Sequence, residues 1–181
     1  ITTLRGHTSA WGEDQLGWVA SGMRLWKRGP LQKVCGQHRK MMFDDDPDKA
    51  DARAAKTGRG RMVWAGKATG HDSALRVEDG FLRSRGLGAD LIAPLSLVLD
   101  DLGIYYDPHN PSRLEAHIQA SIALPDAALL RAEMLIDRIT SAGLSKYNLT
   151  ATNLHNDLPK GRRILVPGQV EDDASIRLGT T

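Results

Sequence analysis

One cysteine, Cys35, leaves no partner for an intramolecular disulfide, so this fold must hold without cross-links, as suits a reducing compartment. Cys35 itself reads as a small buried apolar residue rather than a nucleophile. No apolar run approaches the roughly 20 residues needed to span a bilayer. The richest stretch, "LIAPLSLVLDDLGIYY", is broken by Pro94 and by Asp100 and Asp101. Six histidines form no HxH or HExxH grouping and no CxxC exists, which argues against a zinc site. GxxxxGK[ST] and GxGxxG are also absent, so "GKATGHDS" is a loop with a solvated Lys67, and a dinucleotide site has weak support. A net charge of +2 is too small to argue for nucleic acid, though it tolerates anionic ligands such as phosphates or acidic sugars. The chain opens "ITTLRGHTSA" with no signal-peptide layout, which removes the weight of the glycosylation-like "NLT" at Asn148. It stops at "IRLGTT", where a helix is expected to begin, and we read it as a piece of a longer protein.

What is present fits one sizeable α/β domain, alone or with part of another: 181 residues, 41% hydrophobic and 25% charged. Residues 1–30, with Trp11, Trp18 and Trp26, give no clean period. Asp44, Asp45 and Asp46 read as a solvated face before a helix in "DPDKADARAAKTG", with Asp48 near its start and Gly58 at its end. Strands are expected at "RMVWAG" (Arg61 to Gly66) and at Leu75 to Val77. A hairpin is expected from arms Leu95–Leu99 and Ile104–Tyr106, with Gly103 supplying a positive φ. A helix should run from Pro125 to Gly143 with a core-facing stripe of Leu129, Leu130, Met134, Leu135, Ile136 and Ile139. A polar connector then leads to a buried strand at Ile164, Leu165 and Val166. Alternating strands and helices imply a largely parallel sheet, whose ligands sit beyond the carboxyl ends of the strands.

Two acidic clusters fall at expected strand exits. In "VEDGFLRSRGLGADL", Gly80, Gly86 and Gly88 would let backbone approach a ligand, while Arg83 and Arg85 offer forks for carboxylate or phosphate. Glu78, beside apolar Phe81 and Leu82, suits the raised pKa of a general acid. The bland alternative is an ordinary βα loop with solvated arginines. In "RRILVPGQVEDDAS", Gly168 would permit a sharp turn, Gln169 can bond a hydroxyl, and Glu171, Asp172 and Asp173 precede a helix start. One acid suffices for a cap; three leave material for a nucleophile or ion stabiliser. Two carboxyls in unlike environments are the working parts of retaining chemistry at an anomeric carbon. Magnesium is the competing use of such acids.

The stretches "VEDGFLRSRGLGADLIAPLSLVLDDLGIYYDPHNPSRLE" and "ILVPGQVEDDASIRLG", with "WAGKATG", resemble the bacterial capsule polysaccharide biosynthesis and export proteins that are retaining β-Kdo glycosyltransferases. The likeness covers most of residues 60–181. It implies a Rossmann-like half of a GT-B-like enzyme, with the first strand and loop of the second half. Residues 1–157 would be the acceptor-side domain and residues 158–181 the truncated start of the donor-side domain. It implies transfer of Kdo from CMP-Kdo, without a further cofactor, onto a lysophospholipid-borne Kdo acceptor by double displacement through an Asp. The setting would be cytoplasmic, peripheral on the inner membrane and beside the capsule export machinery. Carried onto this sequence, Asp172 becomes the candidate nucleophile with Asp173 as rival, next to Gln169 and Glu171. Glu78 becomes the acid/base with Asp79 as rival, and Arg83 and Ser84 line the sugar cleft. The family's His-Pro pair has no counterpart here, so activity of this stretch alone is not expected. The alternatives are a non-catalytic polysaccharide-binding or export-complex module of the same fold and, ranked last, a metal-dependent phosphotransfer enzyme.

Overall fold

The computed structural model describes residues 16–68, 73–149, 160–166, 168, 170, 171 and 173–179. Its centre is a five-stranded sheet in the order β2-β1-β3-β4-β5. The strands are β1 (Trp18–Ser21), β2 (Met42–Phe43), β3 (Gly60–Trp64), β4 (Leu75–Asp79) and β5 (Leu97–Asp100). β2, β1, β3 and β4 are parallel, and β5 returns antiparallel to β4 with Asp79 opposite Leu97. A parallel neighbour needs a crossover over one face. Instead the loop after β4 closes on itself: Gly80 N donates to Ser96 O at 2.9 Å and Leu95 N to Arg83 O at 2.6 Å. β5 therefore starts where β4 ends.

Alternation along the strands divides the core between two faces. Trp18, Ala20, Met62, Leu75 and Val77 face helix α1 (Leu25–Cys35), meeting Leu31 and Cys35. Val19 faces helix α2 (Pro47–Thr57) through Ala50 and Ala54. Cys35 is buried in the larger cluster, as expected. Helix α1 forms although Gly29 and Pro30 lie inside it, because Leu31 and Cys35 anchor its second half to the sheet. Helix α2 begins and ends where its residues dictate: Asp46 accepts from Lys49 N, Pro47 takes the first turn, and Gly58 closes at φ 60°. The aspartates before it form the solvated face expected at Asp45 and Asp46, 61% and 42% exposed, while Asp44 is largely covered. Asp44 and Asp45 pair with Arg53 at 3.4 Å and Arg28 at 2.7 Å.

Three expectations fail. The hairpin does not form: Ile104 to Tyr106 lie outside any strand. Buried Asp100 gathers the amides of Leu102, Gly103 and Arg113 at 2.8–2.9 Å and turns the chain into helix α3 (Arg113–Ala120), which has a full Ser112/Glu115 capping box. Gly103 is needed because a Cβ would stand 2.4 Å from Pro111 O, not for a positive φ. Helix α4 (Asp126–Ser141) forms as read, but none of its residues is buried, and Leu129, Leu130, Met134, Leu135 and Ile136 are 48–59% exposed. Its apolar side has no sheet against it. Ile164, Leu165 and Val166 form no strand and are 79–88% exposed. Helix α5 (Ala174–Gly179) follows.

Candidate functional site

The chain leaves β1 for β2 on one side and returns to β3 on the other, so the sheet's switch point lies at the carboxyl ends of β1 and β3. Gly22, at φ +71°, turns β1 into this edge; a Cβ there would meet Lys67 Cβ at 2.8 Å. From α1, Lys27 extends its ammonium over the Trp64 ring, 3.4 Å from the centroid, and reaches Asp79 at 3.3 Å. Arg83, 1% exposed, donates to Asp79 Oδ2 at 2.7 Å and to Ser84 Oγ at 2.8 Å. Asp79 thus sits between two buried cations, and burial still lowers the Lys27 pKa against its pull. Such a carboxylate is an organiser, not a free base.

Glu78, its neighbour, has a different environment. Burial raises its carboxyl above the usual range, although one oxygen accepts from Asp79 N at 2.9 Å. Beside it, Tyr105 stacks on Phe81 with centroids 5.0 Å apart and meets Tyr106 edge-on at 5.3 Å. Burial pushes the Tyr105 phenol up to about 12 and Tyr106 upward too, with the charge of Glu78 next in both cases. Sequence reasoning missed these tyrosines because it placed "GIYYD" in a hairpin arm. It missed Lys27 because the Trp-rich start showed no period.

The glycines after β4 serve the chain rather than a ligand. A Cβ at Gly80 would lie 2.1 Å from Ser96 Oγ, and one at Gly88 2.8 Å from an Arg83 guanidinium nitrogen. Gly86 sits at φ +117°. Arg83 and Ser84 are buried supports, whereas Arg85 is exposed. Among the described residues, three buried donors near here have no hydrogen-bond partner: the indole N–H of Trp26, one N–H of Arg83 and the Tyr106 hydroxyl. Buried donors are rarely left so unless something else binds them.

In the second cluster, Gln169 and Asp172 lie outside the described residues. Asp173 caps α5: it accepts from Ser175 N at 2.9 Å, and Ser175 holds its carboxyl below the usual range. Glu171 and Gly168 are exposed. Gly168 has no positive φ and nothing within 4 Å of a Cβ, so no sharp turn requires it. The charge of Asp173 nonetheless acts on Tyr105 and Tyr106, as Glu78 does, and Lys146 acts on both acids. Both clusters are thus within electrostatic reach of the two tyrosines and of Lys146. Among the described residues, no three His, Cys, Asp or Glu side chains group as metal ligands. A cavity of about 580 Å³ opens at the amino ends of β1, β3 and β4, between Trp18, Arg59, Gly60 and Leu75, and no candidate acid lines it.

Residues 65–181 match the family model described as capsule polysaccharide biosynthesis protein. The chain is 39% identical over 168 residues to the capsule polysaccharide modification protein LipA of Neisseria meningitidis, covering 88% of this chain and 24% of that protein. It is 51% identical over 107 residues to the lipopolysaccharide-processing protein LpsZ of Rhizobium meliloti, covering 58% of this chain and 24% of that one. Among solved structures it is similar to a KpsC β-Kdo 2,7 transferase of Thermosulfurimonas dismutans, with TM-score 0.62, 28% identity, and 90% and 51% coverage. A β-Kdo 2,4 transferase of the same KpsC gives TM-score 0.58 and 25% identity over 91% of this chain and 52% of that one. The chain thus spans about a quarter of the curated relatives and half of the solved chains. No described helix is long and apolar enough to cross a membrane.

Proposed function

The chain belongs to the capsule polysaccharide biosynthesis protein family, and from that premise we propose that it forms the acceptor-side half of a retaining Kdo transferase. Residues 1–157 make that half and residues 158–181 begin the donor-side domain. One observation carries the reading: burial raises the carboxyl of half-buried Glu78, and its charge and that of Asp173, in the acidic turn before α5, both act on Tyr105 and Tyr106. Unlike carboxyls facing one sugar-sized gap suit two successive displacements. Asp172 attacks the anomeric carbon of CMP-Kdo; the bond to the phosphate oxygen breaks, CMP departs with its electron pair, and Glu78 gives its proton to the departing phosphate, which leaves the carboxylate free to act as base. The acceptor hydroxyl then attacks the same carbon, Glu78 takes its proton, and the Asp172 carboxylate is released. Asp173, spent on its cap, is the weaker nucleophile of the pair, and Asp79, spent on Lys27 and Arg83, the weaker base. The orphaned donors of Trp26, Arg83 and Tyr106 suit a ligand rich in hydroxyls and carboxylates. No cofactor beyond the donor sugar enters the scheme. The acceptor is a Kdo-terminated lysophospholipid, presented at the cytoplasmic face of the inner membrane near the export machinery.

Trapping tests the scheme. With CMP-Kdo, the Glu78→Gln form of the full-length protein should accumulate a sugar adduct on the peptide carrying residues 171–173, read by mass spectrometry, while transfer falls about a hundredfold or more. Full turnover by Asp172→Ala, or an adduct on another peptide, overturns it. Binding of Kdo oligomers with no CMP release at all would leave a polysaccharide-binding module instead.

A further inference from the structure

Two acidic loops facing a sugar would repel an acidic one, so an anionic substrate needs a positive charge between them. Two of the described cations at the end of β4 are already committed: half-buried Lys27 and buried Arg83 both pair with Asp79, while Arg85 in the loop beyond is exposed. Another cation stands where the polar connector after α4 returns to the site. The turn from Ser145 to Asn148 is locked on itself: Ser145 N donates to Asn148 Oδ1 and Asn148 N to Ser145 Oγ, both at 3.0 Å. Asn148 holds φ +49°, a conformation in which asparagine is among the few tolerant residues.

This turn is strapped onto the loop beyond β4. Lys146 O accepts from Arg83 N at 2.8 Å and from Ser84 N at 3.2 Å, and Tyr147 O accepts from Gly86 N at 2.7 Å. Asn148 Nδ2 donates to Ser84 O at 2.9 Å. These bonds fix the backbone of Lys146 beside the exit of β4. Its side chain is exposed, with its ammonium 5.4 Å from the Tyr147 ring, and it forms no ion pair with a described residue. Its charge acts on both Glu78 and Asp173. A rigid backbone carrying an uncommitted ammonium beside the loop that follows β4 is suited to bind an anion and unsuited to a purely structural ion pair.

We propose that Lys146 is the carboxylate anchor of the site, binding the acid group of an ulosonic sugar between the Glu78 loop and the acidic turn. The inference rests on the transferase reading for the position of the sugar. An ammonium offers three donors to a carboxylate and leaves the sugar hydroxyls to other groups. A neutral hexose would gain nothing from it, so Lys146 sets substrate class rather than rate.

Equilibrium binding of a Kdo disaccharide, compared with the same disaccharide amidated at its carboxyl groups, tests this on the full-length protein. The wild type should bind the acid form about tenfold more tightly, the scale of one charged hydrogen bond. Lys146→Met should erase that preference by weakening acid binding much more than amide binding. Lys146→Arg should keep most of it, and Lys146→Gln, which remains polar on an exposed position, guards against a folding defect in the Met form. An unchanged preference in Lys146→Met, or none in the wild type, overturns the proposal. The two readings separate cleanly. A preference lost in Lys146→Met while CMP-Kdo is never consumed supports the anchor and refutes the transferase. Turnover with an undiminished preference does the reverse.

Discussion

The two acidic clusters contain the same chemistry in opposite settings. At the end of β4, Glu78 and Asp79 are partly buried, held by Lys27, Arg83 and a loop closed around Gly80. Before α5, Glu171 and Asp173 are exposed, and Asp173 is held by bonds to its own helix start. Burial raises the Glu78 carboxyl, whereas a cap lowers that of Asp173. Position alone thus shifts the two acids in opposite directions, upward at the strand end and downward at the helix start.

If β4 is the rigid half of this pair, its variants should cost most. Asp79→Ala strands two cations whose side chains are 12% and 2% exposed. Breaking one side of a buried ion cluster costs about 3–5 kcal/mol, measurable as a lower denaturant midpoint. A loss near zero would mean that the loop, not the ion cluster, holds this edge. Next come the glycines. Gly80→Ala must move Ser96, whose Oγ would stand 2.1 Å away, and should cost about 1–3 kcal/mol. Gly168→Ala has open space on every side and should change stability by less than about 0.5 kcal/mol. Equal costs at the two glycines would erase the contrast.

Sequence reading reached some of this and missed the rest for definable reasons. Helix α2 was legible because its signals are local: Asp46, Pro47 and Gly58 each satisfy backbone at the position they occupy. β3 and β4 were legible as short apolar runs, and so was the placement of Glu78 at a strand exit. The hairpin was not, because the partner of β5 is β4 across a closed loop, and Asp100 redirects the chain that would have formed the second arm. Periodicity identified helix α4 and the apolar run Ile164 to Val166 but not what would cover them; a stripe predicts burial only when a partner exists. Lys146 had no motif at all. Its position follows from main-chain bonds between segments more than sixty residues apart.

A smaller effect probes the second cluster. Asp173→Ala removes an acceptor from Ser175 N and should cost about 1 kcal/mol, confined to α5. Amide exchange at Ser175, Ile176 and Arg177 should quicken while the sheet amides of β1 and β3 stay protected. Exchange quickening across the sheet would show that the acidic turn is part of the same cooperative unit as β4, and the contrast between rigid and local would fail.

The slightest expected effect is a tilt with pH, and it discriminates most finely between the two acids. Because burial raises the Glu78 carboxyl, the folded chain binds that proton more tightly than the unfolded chain. The stability this supplies is complete below the ordinary value of 4.5 and is lost as pH climbs through the raised folded value. Glu78→Gln cannot ionise, so it should match the wild type most closely in acid and gain on it over that window. Unfolding midpoints across a pH series measure the difference. Should the wild type gain on the Gln form instead, the attraction of Lys27 and Lys146 would outweigh burial, and Glu78 would be an ordinary ionised carboxylate. The strand end and the helix start would then hold like acids, and the division of labour between them would have no physical basis.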